Sequence, residues 1–367
     1  MSAAPTDRYV LHGGLGSPYS MKVRAAMRYR RLPHDWVQLG TPGAPDVLAR
    51  VRVPVIPVLG LPDGRWLNDS TPMLEELERL HPGARSIVPE DPAQAFLARL
   101  LEDMADEWGT KAMFLYRWLR ERDQRRMSEW LAFDRLAGEG LDAILGHAVR
   151  FRARQVGRMA LVGCTAANAP LVEASADRVM ALLEAHVTGE RYLFGSRPSI
   201  ADFGWMGQLS QLAVDPTPAE RMREGFPFLF RWLMQLDDAS GVEGAWRAAD
   251  APTPPAVAGL LAIAAEVYLP FLEANATALA AGRETFRFEA WGMGYEQGTF
   301  GYQARCLAAL REAYRALPDA ARGRVDADLP AAAPGALTRR CAAGGPRRRT
   351  PPLVPQANDS ASDPIGP

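Results

Sequence analysis

The spacing of hydrophobic positions changes along the chain, and that change divides it. Up to about residue 80, short apolar runs alternate with breaks rich in glycine and proline. Tyr9-Val10-Leu11-His12 reads as a strand, followed by the turn Gly13-Gly14-Leu15-Gly16. Ser17-Pro18 signals a helix start, because a serine oxygen accepts from an orphan backbone N–H and proline fits the first helical position. Tyr19, Val23, Ala26, Met27 and Arg30 recur at three- and four-residue spacing, predicting one packed stripe with Lys22, Arg24 and Arg28 left in water. Trp36-Val37-Gln38-Leu39 is a second strand, closed by Gly40-Thr41-Pro42-Gly43, and residues 46–51 are either a short helix or irregular. Val53-Pro54-Val55-Ile56-Pro57-Val58-Leu59 reads as a third strand whose prolines imply an edge, a bulge or a cis bond. The turn Pro62-Asp63-Gly64 leads to Arg65-Trp66-Leu67, and Asn68-Asp69-Ser70-Thr71-Pro72 opens a helix with Met73, Leu74, Leu77 and Leu80 inside. Strand, helix, strand, then strand, strand, helix make a small α/β sandwich.

His81-Pro82-Gly83 stops that helix, and from residue 93 to about 247 the period is helical. Residues 93–119 predict one long helix with Leu97, Leu100, Leu101, Met104, Trp108, Met113 and Leu115 apolar. Ser199-Ile200-Ala201-Asp202 is a capping box, with Pro198 and Phe203 as its staple, and the helix after it is apolar enough to be central. Pro252-Thr253-Pro254-Pro255 breaks the chain again. Residues 257–281 predict a helix, Phe286-Arg287-Phe288-Glu289-Ala290-Trp291 a strand, and 302–317 a further helix. Past Pro330 the composition turns to Ala, Pro, Gly and Arg, and disorder is expected. Arg347-Arg348-Arg349 and residues 351–355 are read as solvated tail rather than a docking motif. The expected domains are 1–84, 85–248, an extension over 249–330 and a tail over 331–367.

Composition narrows the class. With 48% hydrophobic and 23% charged residues, the chain is ordinary globular material, and no apolar run is read as reaching membrane-spanning length. No secretory signal is expected from its first residues, and a net charge of −1 gives no global reason to bind nucleic acid. Cys164, Cys306 and Cys341 are scattered and odd in number, which suits a reducing, cytoplasmic setting and argues against a disulfide framework. His12, His34, His81, His147 and His186 form no metal-ligand pattern, so no metal is expected.

The chemistry concentrates where helices begin. A hydroxyl at Ser17 stands where unpaired N–H groups and the positive end of a helix converge, a place that stabilises an anion. The plainer reading is an N-cap only. Asp69-Ser70 puts a carboxylate beside a second helix start: its N–H groups and the Ser70 hydroxyl can take an α-carboxylate, and Asp69 an α-amino group, or the pair can simply cap. A dinucleotide fingerprint from Gly14 would need glycine at 19, where Tyr19 stands, and no Gly-Lys-Ser/Thr follows.

Taken together, Ser17-Pro18-Tyr19-Ser20, Val55-Ile56-Pro57-Val58-Leu59, Asp69-Ser70 and Ser199-Ile200-Ala201-Asp202 resemble the glutathione S-transferase superfamily over roughly residues 8–248. The resemblance implies a thioredoxin-like N-terminal domain followed by an all-helical domain, to which this chain adds an α/β C-terminal extension. It also implies glutathione as co-substrate, thiol activation by Ser17 with Ser20 as fallback, and a cis bond before Pro57. By the same resemblance Ile56, Pro57, Asp69, Ser70 and Arg52 contact glutathione. A small hydrophobic electrophile is expected between the domains, at Tyr19, Trp108, Met113 and Tyr116, though core packing accounts for an aromatic-rich helix equally well. Ser199 and Asp202 are structural. A two-fold homodimer, detoxifying chemistry, and no membrane or nucleic-acid partner complete the expectation.

Two departures stand out. Such families usually carry a basic residue directly before the Ile56-Pro57 position, and here it is Val55, with Arg52 and Arg50 nearest. No cysteine lies in the Ser17-Pro18-Tyr19-Ser20 stretch, which excludes thiol–disulfide exchange through a protein sulfur there. A non-catalytic binding or assembly module on the same fold is the competing reading.

Overall fold

A computed structural model describes residues 8–44, 46–83, 85–330 and 333–339. The sheet forms around β1 (Tyr9–Gly13), which runs through α1 (Pro18–Tyr29) into β2 (His34–Gln38), parallel to β1. The hairpin β3 (Val58–Gly60) and β4 (Trp66–Asn68) adds on the other side, giving the order β2-β1-β3-β4, and α2 (Ser70–Leu80) packs beside α1. β3 is shorter than the apolar pattern predicts, because Pro54 and Pro57 have no N–H to give a ladder; residues 48–50 form a 3₁₀ turn. This is the thioredoxin-like arrangement.

The long helix expected over 93–119 is α3 (Pro92–Met104) and α4 (Thr110–Leu119), joined by a π turn at Ala105–Gly109. Then come α5 (Glu121–Leu136), α6 (Leu141–Val156), α7 (Ala169–Val187), α8 (Ile200–Leu212), α9 (Pro216–Gly225) and α10 (Pro227–Leu236). α8 is central, buried on almost every face and packed on both α1 and α3. Its capping box is complete: Ser199 N–H donates to Asp202 Oδ2 at 2.8 Å, and Asp202 Oδ1 also accepts from Leu193 N–H at 3.0 Å. Such a cap contributes about 1 kcal/mol. A side chain at Gly207 would meet the Pro18 carbonyl oxygen at 2.6 Å, so glycine is what lets α8 lie against the start of α1.

That contact corrects the reading of α1. Lys22 and Arg24 are buried, not wet, because α8, α3 and α10 cover the polar stripe; Arg28 is half-buried. Arg24 and Arg28 both pair with Asp237, each at 2.6 Å.

The extension consists of α11 (Pro255–Ile263), a π turn at Ala264–Tyr268, α12 (Leu269–Ala280), the hairpin β5 (Thr285–Ala290) and β6 (Met293–Gly298), α13 (Gly301–Ala316), α14 (Asp319–Asp328) and α15 (Ala333–Thr338). The hairpin turns on Trp291 and Gly292, both at positive φ (53° and 70°), as a two-residue turn between right-twisted strands requires. Against the expectation that no apolar run reaches membrane-spanning length, Pro255–Ala280 is one helix among the described residues long and apolar enough to cross a membrane, and 67% of its apolar 18-residue window is buried within the protein. Glu273, on it, pairs with Arg311 at 2.9 Å. Trp108 packs on Phe271 and Tyr295 with ring centroids 5.2 and 5.3 Å apart, so the extension shares one hydrophobic core with the helical domain. Within the stretch expected to be disordered, α15 is ordered: Ala333, Ala336 and Leu337 are buried, and Arg311 Nε donates to Ala336 O at 2.8 Å. The Arg347-Arg348-Arg349 run, residues 351–355 and Cys341 lie outside the described residues.

Candidate functional site

Ser17 caps α1 in extended backbone (φ −107°, ψ 114°), and its Oγ accepts from Ser20 N–H at 3.2 Å. The loop before it is closed by Ser17 N–H donating to Gly14 O at 3.1 Å. Ser17 opens on a cavity of about 70 Å³ between the sandwich and the helical domain. Tyr19, Leu39 and Ile56 line it from the sandwich, Met113, Phe114 and Trp118 from α4, and Leu131 and Phe151 from α5 and α6. An interdomain cleft with apolar walls and few polar groups is the ordinary form of a small-molecule site. Ser20 is excluded as the fallback. One helical turn on, its side chain points under the loop, fully buried, and accepts from Gly14 N–H at 3.4 Å.

Periodicity gave no hint of the clamp behind this loop. Arg117 is buried on α4; its Nη1 donates to Gly16 O at 2.9 Å and its Nη2 to Gln211 Oε1 at 2.9 Å. Asp215, wholly buried, holds the guanidinium through Nε at 3.0 Å and Nη2 at 2.9 Å. Gln211 Nε2 donates to Leu15 O at 3.1 Å. Two carbonyls of the loop carrying Ser17 are therefore fixed by the helical domain. A side chain at Gly16 would strike Leu131 at 2.1 Å, which is why the loop can lie so close. Burial raises the Asp215 carboxyl to about 6, with Arg117 pulling the other way. Asp134, in the cavity wall, is likewise raised by burial against the pull of Arg117.

The Ile56–Pro57 bond is cis, and Ile56 reaches the cavity. Arg52 is exposed and lies outside the cavity lining. Asp69 stands at positive φ (76°) before α2, and its carboxyl is raised by burial while the Tyr302 hydroxyl, 2.9 Å away, works to lower it. Ser70 is buried among charges. Its Oγ lies 3.3 Å from Asp106 Oδ2 and 3.4 Å from Lys22 Nζ, and Lys22 pairs with Asp106 at 2.6 Å and with Glu102. Burial opposes the Lys22 charge, but Asp106 and Glu102 outweigh it and raise its pKa. Asp106 rises to about 7 through burial, despite Lys22.

Of the residues expected to hold the electrophile, Tyr19 and Met113 line the cavity, and Tyr19 OH donates to Asp106 O at 2.9 Å. Trp108 and Tyr116 do not. Trp108 turns toward the extension, its Nε1 donating to Ser175 Oγ at 2.9 Å, and Tyr116 is buried with Arg120 over its ring. Neither lines the cavity, and core packing claims them. Among the described residues, no group of His, Cys, Asp or Glu is arranged to hold a metal, and Cys164 and Cys306 are free thiols.

A thioredoxin-like sandwich with a serine at the head of its first helix is joined to a helical domain with a capped central helix. The model for the N-terminal domain of glutathione S-transferases matches residues 11–85, and that for their C-terminal domain residues 141–233. Both matches support the glutathione S-transferase superfamily over those two stretches. It is 32% identical over 89 residues to glutathione S-transferase U9 of Arabidopsis thaliana, covering 23% of this chain and 36% of that protein, so it spans about a third of the relative's length. Among solved structures it is similar to a glutathione S-transferase of Methylobacterium radiotolerans crystallised with glutathione sulfonate, at 24% identity and a TM-score of 0.41, over 67% of this chain and 99% of that one. A Tau class enzyme from mango, Mangifera indica, aligns at 18% identity and a TM-score of 0.37, over 64% of this chain and 90% of the other.

Proposed function

We propose that this protein is a glutathione S-transferase-like enzyme that holds glutathione as an anion at Ser17 and presents it to a small hydrophobic electrophile. The observation that carries the reading is the place of Ser17: a hydroxyl at a helix N-terminus, in the wall of an interdomain cavity that is mostly apolar but also lined by Arg117, Asp134, Arg135, His147 and Gln155. A free thiol titrates near ~8.5 and is a poor nucleophile while protonated. A charge-assisted hydrogen bond contributes about 1.5–3 kcal/mol, and one pKa unit is about 1.4 kcal/mol, so one donor lowers the thiol by roughly one to two units. Ser17 keeps its proton and donates it to sulfur; the thiol proton leaves to water. With a model aryl halide the carbon–sulfur bond forms and the carbon–halogen bond breaks, releasing halide. Proximity in the cavity supplies the rest. The chain would do this in the reducing cytoplasm, as a homodimer that gel filtration would reveal.

The test is conjugation of glutathione to such a halide with Ser17→Ala alongside. A loss of about 8–25-fold at pH 7 is expected, with the bound thiol's ultraviolet titration shifted up by about one to two units. Equal rates in the two proteins would end the reading. A non-catalytic binding module is favoured by one observation, that Ser70 and Asp69 already have partners within the chain. Absence of glutathione binding at millimolar concentration would support it.

A further inference from the structure

The cavity beside Ser17 does not reach the start of α2: from the sandwich it takes Tyr19, Leu39 and Ile56, and neither Asp69 nor Ser70 is part of its wall. The chain covers that point itself. Tyr302, in the first turn of α13, donates its hydroxyl to Asp69 Oδ2 at 2.9 Å. On Ser70 lies the Asp106 carboxylate, at 3.3 Å, with the Lys22 ammonium bridging the two. An amino-acid head group would bring an ammonium to Asp69 and a carboxylate to Ser70 and the helix N–H groups. The protein places a donor of its own on the one and a carboxylate of its own on the other.

We propose that the chain fills its own head-group subsite, with Tyr302 as the specificity-determining residue, so that it binds thiols through their cysteinyl part and draws no affinity from a γ-glutamyl head. The inference rests on the thiol-binding reading above. Tyr302 is a standing part of the wall rather than a movable lid. α13 is anchored by the buried residues Leu307, Leu310 and Tyr314 and packs against α12 and α3. The Tyr302 phenol stays neutral, its pKa raised by burial and by the neighbouring Asp69 carboxylate, so it remains a donor across the working pH range.

The experiment is calorimetric titration of the full chain, Tyr302→Phe and Tyr302→Ala with glutathione and with cysteinylglycine. The unsubstituted protein should bind the two thiols within about threefold of each other. Removing the ring and hydroxyl in Tyr302→Ala should raise affinity for glutathione about tenfold, with Tyr302→Phe in between, because a freed buried carboxylate gains a charge-assisted bond to the ligand ammonium. Cysteinylglycine should bind all three alike, which also reports that the variants fold. A tenfold or greater preference for glutathione in the unsubstituted protein, or a ratio that Tyr302→Ala leaves unmoved, overturns the inference while leaving the thiol-binding reading intact. Failure of all three proteins to bind either thiol overturns both.

Discussion

α1 and α2 start alike and end in opposite states. Each begins at a polar cap facing the helical domain, with a serine in its first positions. At α1 the helical domain reaches past the serine and grips the loop behind it, through Arg117 on Gly16 O and Gln211 on Leu15 O, which leaves Ser17 facing a mostly apolar cavity. At α2 the helical domain and the extension come onto the cap itself, through Asp106 and Tyr302, with Lys22 of α1 held between Asp106 and Ser70. A helix start becomes a site for an anion only where the surrounding side chains stop short of it. The same two helix starts thus give one open site and one closed site.

The sharpest way to break this contrast is at the clamp. Arg117→Met leaves Asp215 buried without its cation, and losing one partner of a buried ion pair costs about 3–5 kcal/mol. Urea unfolding should show that loss at pH 8. The deficit should shrink at pH 5, because Asp215, already raised to about 6 by burial, then takes a proton and no longer stands as an unpaired charge. Equal deficits at both pH values would mean that the cost is packing and not charge. The loop also loses its hold on Gly16 O, so conjugation should fall at temperatures where the variant is still folded.

At the closed site the matching change is Lys22→Met, and a smaller effect is expected. Lys22 stands between Glu102 and Asp106, all three nearly free of solvent. Asp106 titrates at about 7, so when its cation is removed it can take a proton near neutrality instead of remaining as a bare charge. The loss should be about 2–3 kcal/mol at pH 7, measured by the same unfolding, and larger at pH 9. A variant as destabilised as Arg117→Met at pH 7 would show the two sites to be electrostatically alike.

How much of this was legible in the residues follows the same line. Strand and helix starts were readable because caps and breakers act locally: Ser17-Pro18, the glycines before it, Ser199 through Asp202, and the prolines at 54 and 57 each do their work within one turn of chain. What covers those starts was not readable. Lys22 falls on the polar stripe of α1 by spacing, and only the arrival of α8 and α3 buries it. Arg117 is about a hundred residues from Gly16 and Asp215, and Tyr302 more than two hundred from Asp69; no local period encodes such pairings. Trp108 and Met113 read as equals on one apolar helix, yet the extension takes the first and the cavity the second. β6 was missed because Met293–Gly298 carries glycines at 294 and 298, and its pairing with β5 supplies what its own propensity lacks.

The smallest expected effect concerns Asp103, two residues before the π turn. It accepts from Tyr268 OH at 2.5 Å, and burial raises it to about 7, with Tyr268 and Arg99 lowering it and Glu102 raising it. A carboxyl whose folded pKa lies above its unfolded value favours folding when protonated. The stability it contributes is complete below about pH 4, the unfolded value, and is lost as pH rises through about 7. The melting temperature should therefore fall between pH 5 and pH 8. Asp106 titrates at about 7 as well, so Asp103→Asn should remove only part of that slope, while Lys22→Met should steepen it by leaving Asp106 without its cation. At the Ser17 side the raised carboxyls are Asp215 and Asp134, both on the helical domain, and Ser17→Ala removes neither, so it should leave the slope as it was. Scanning calorimetry of the three variants across that range tests the order. Equal slopes in the Asp103→Asn variant and the unsubstituted protein would place the pH dependence elsewhere and remove the electrostatic difference between the two helix starts.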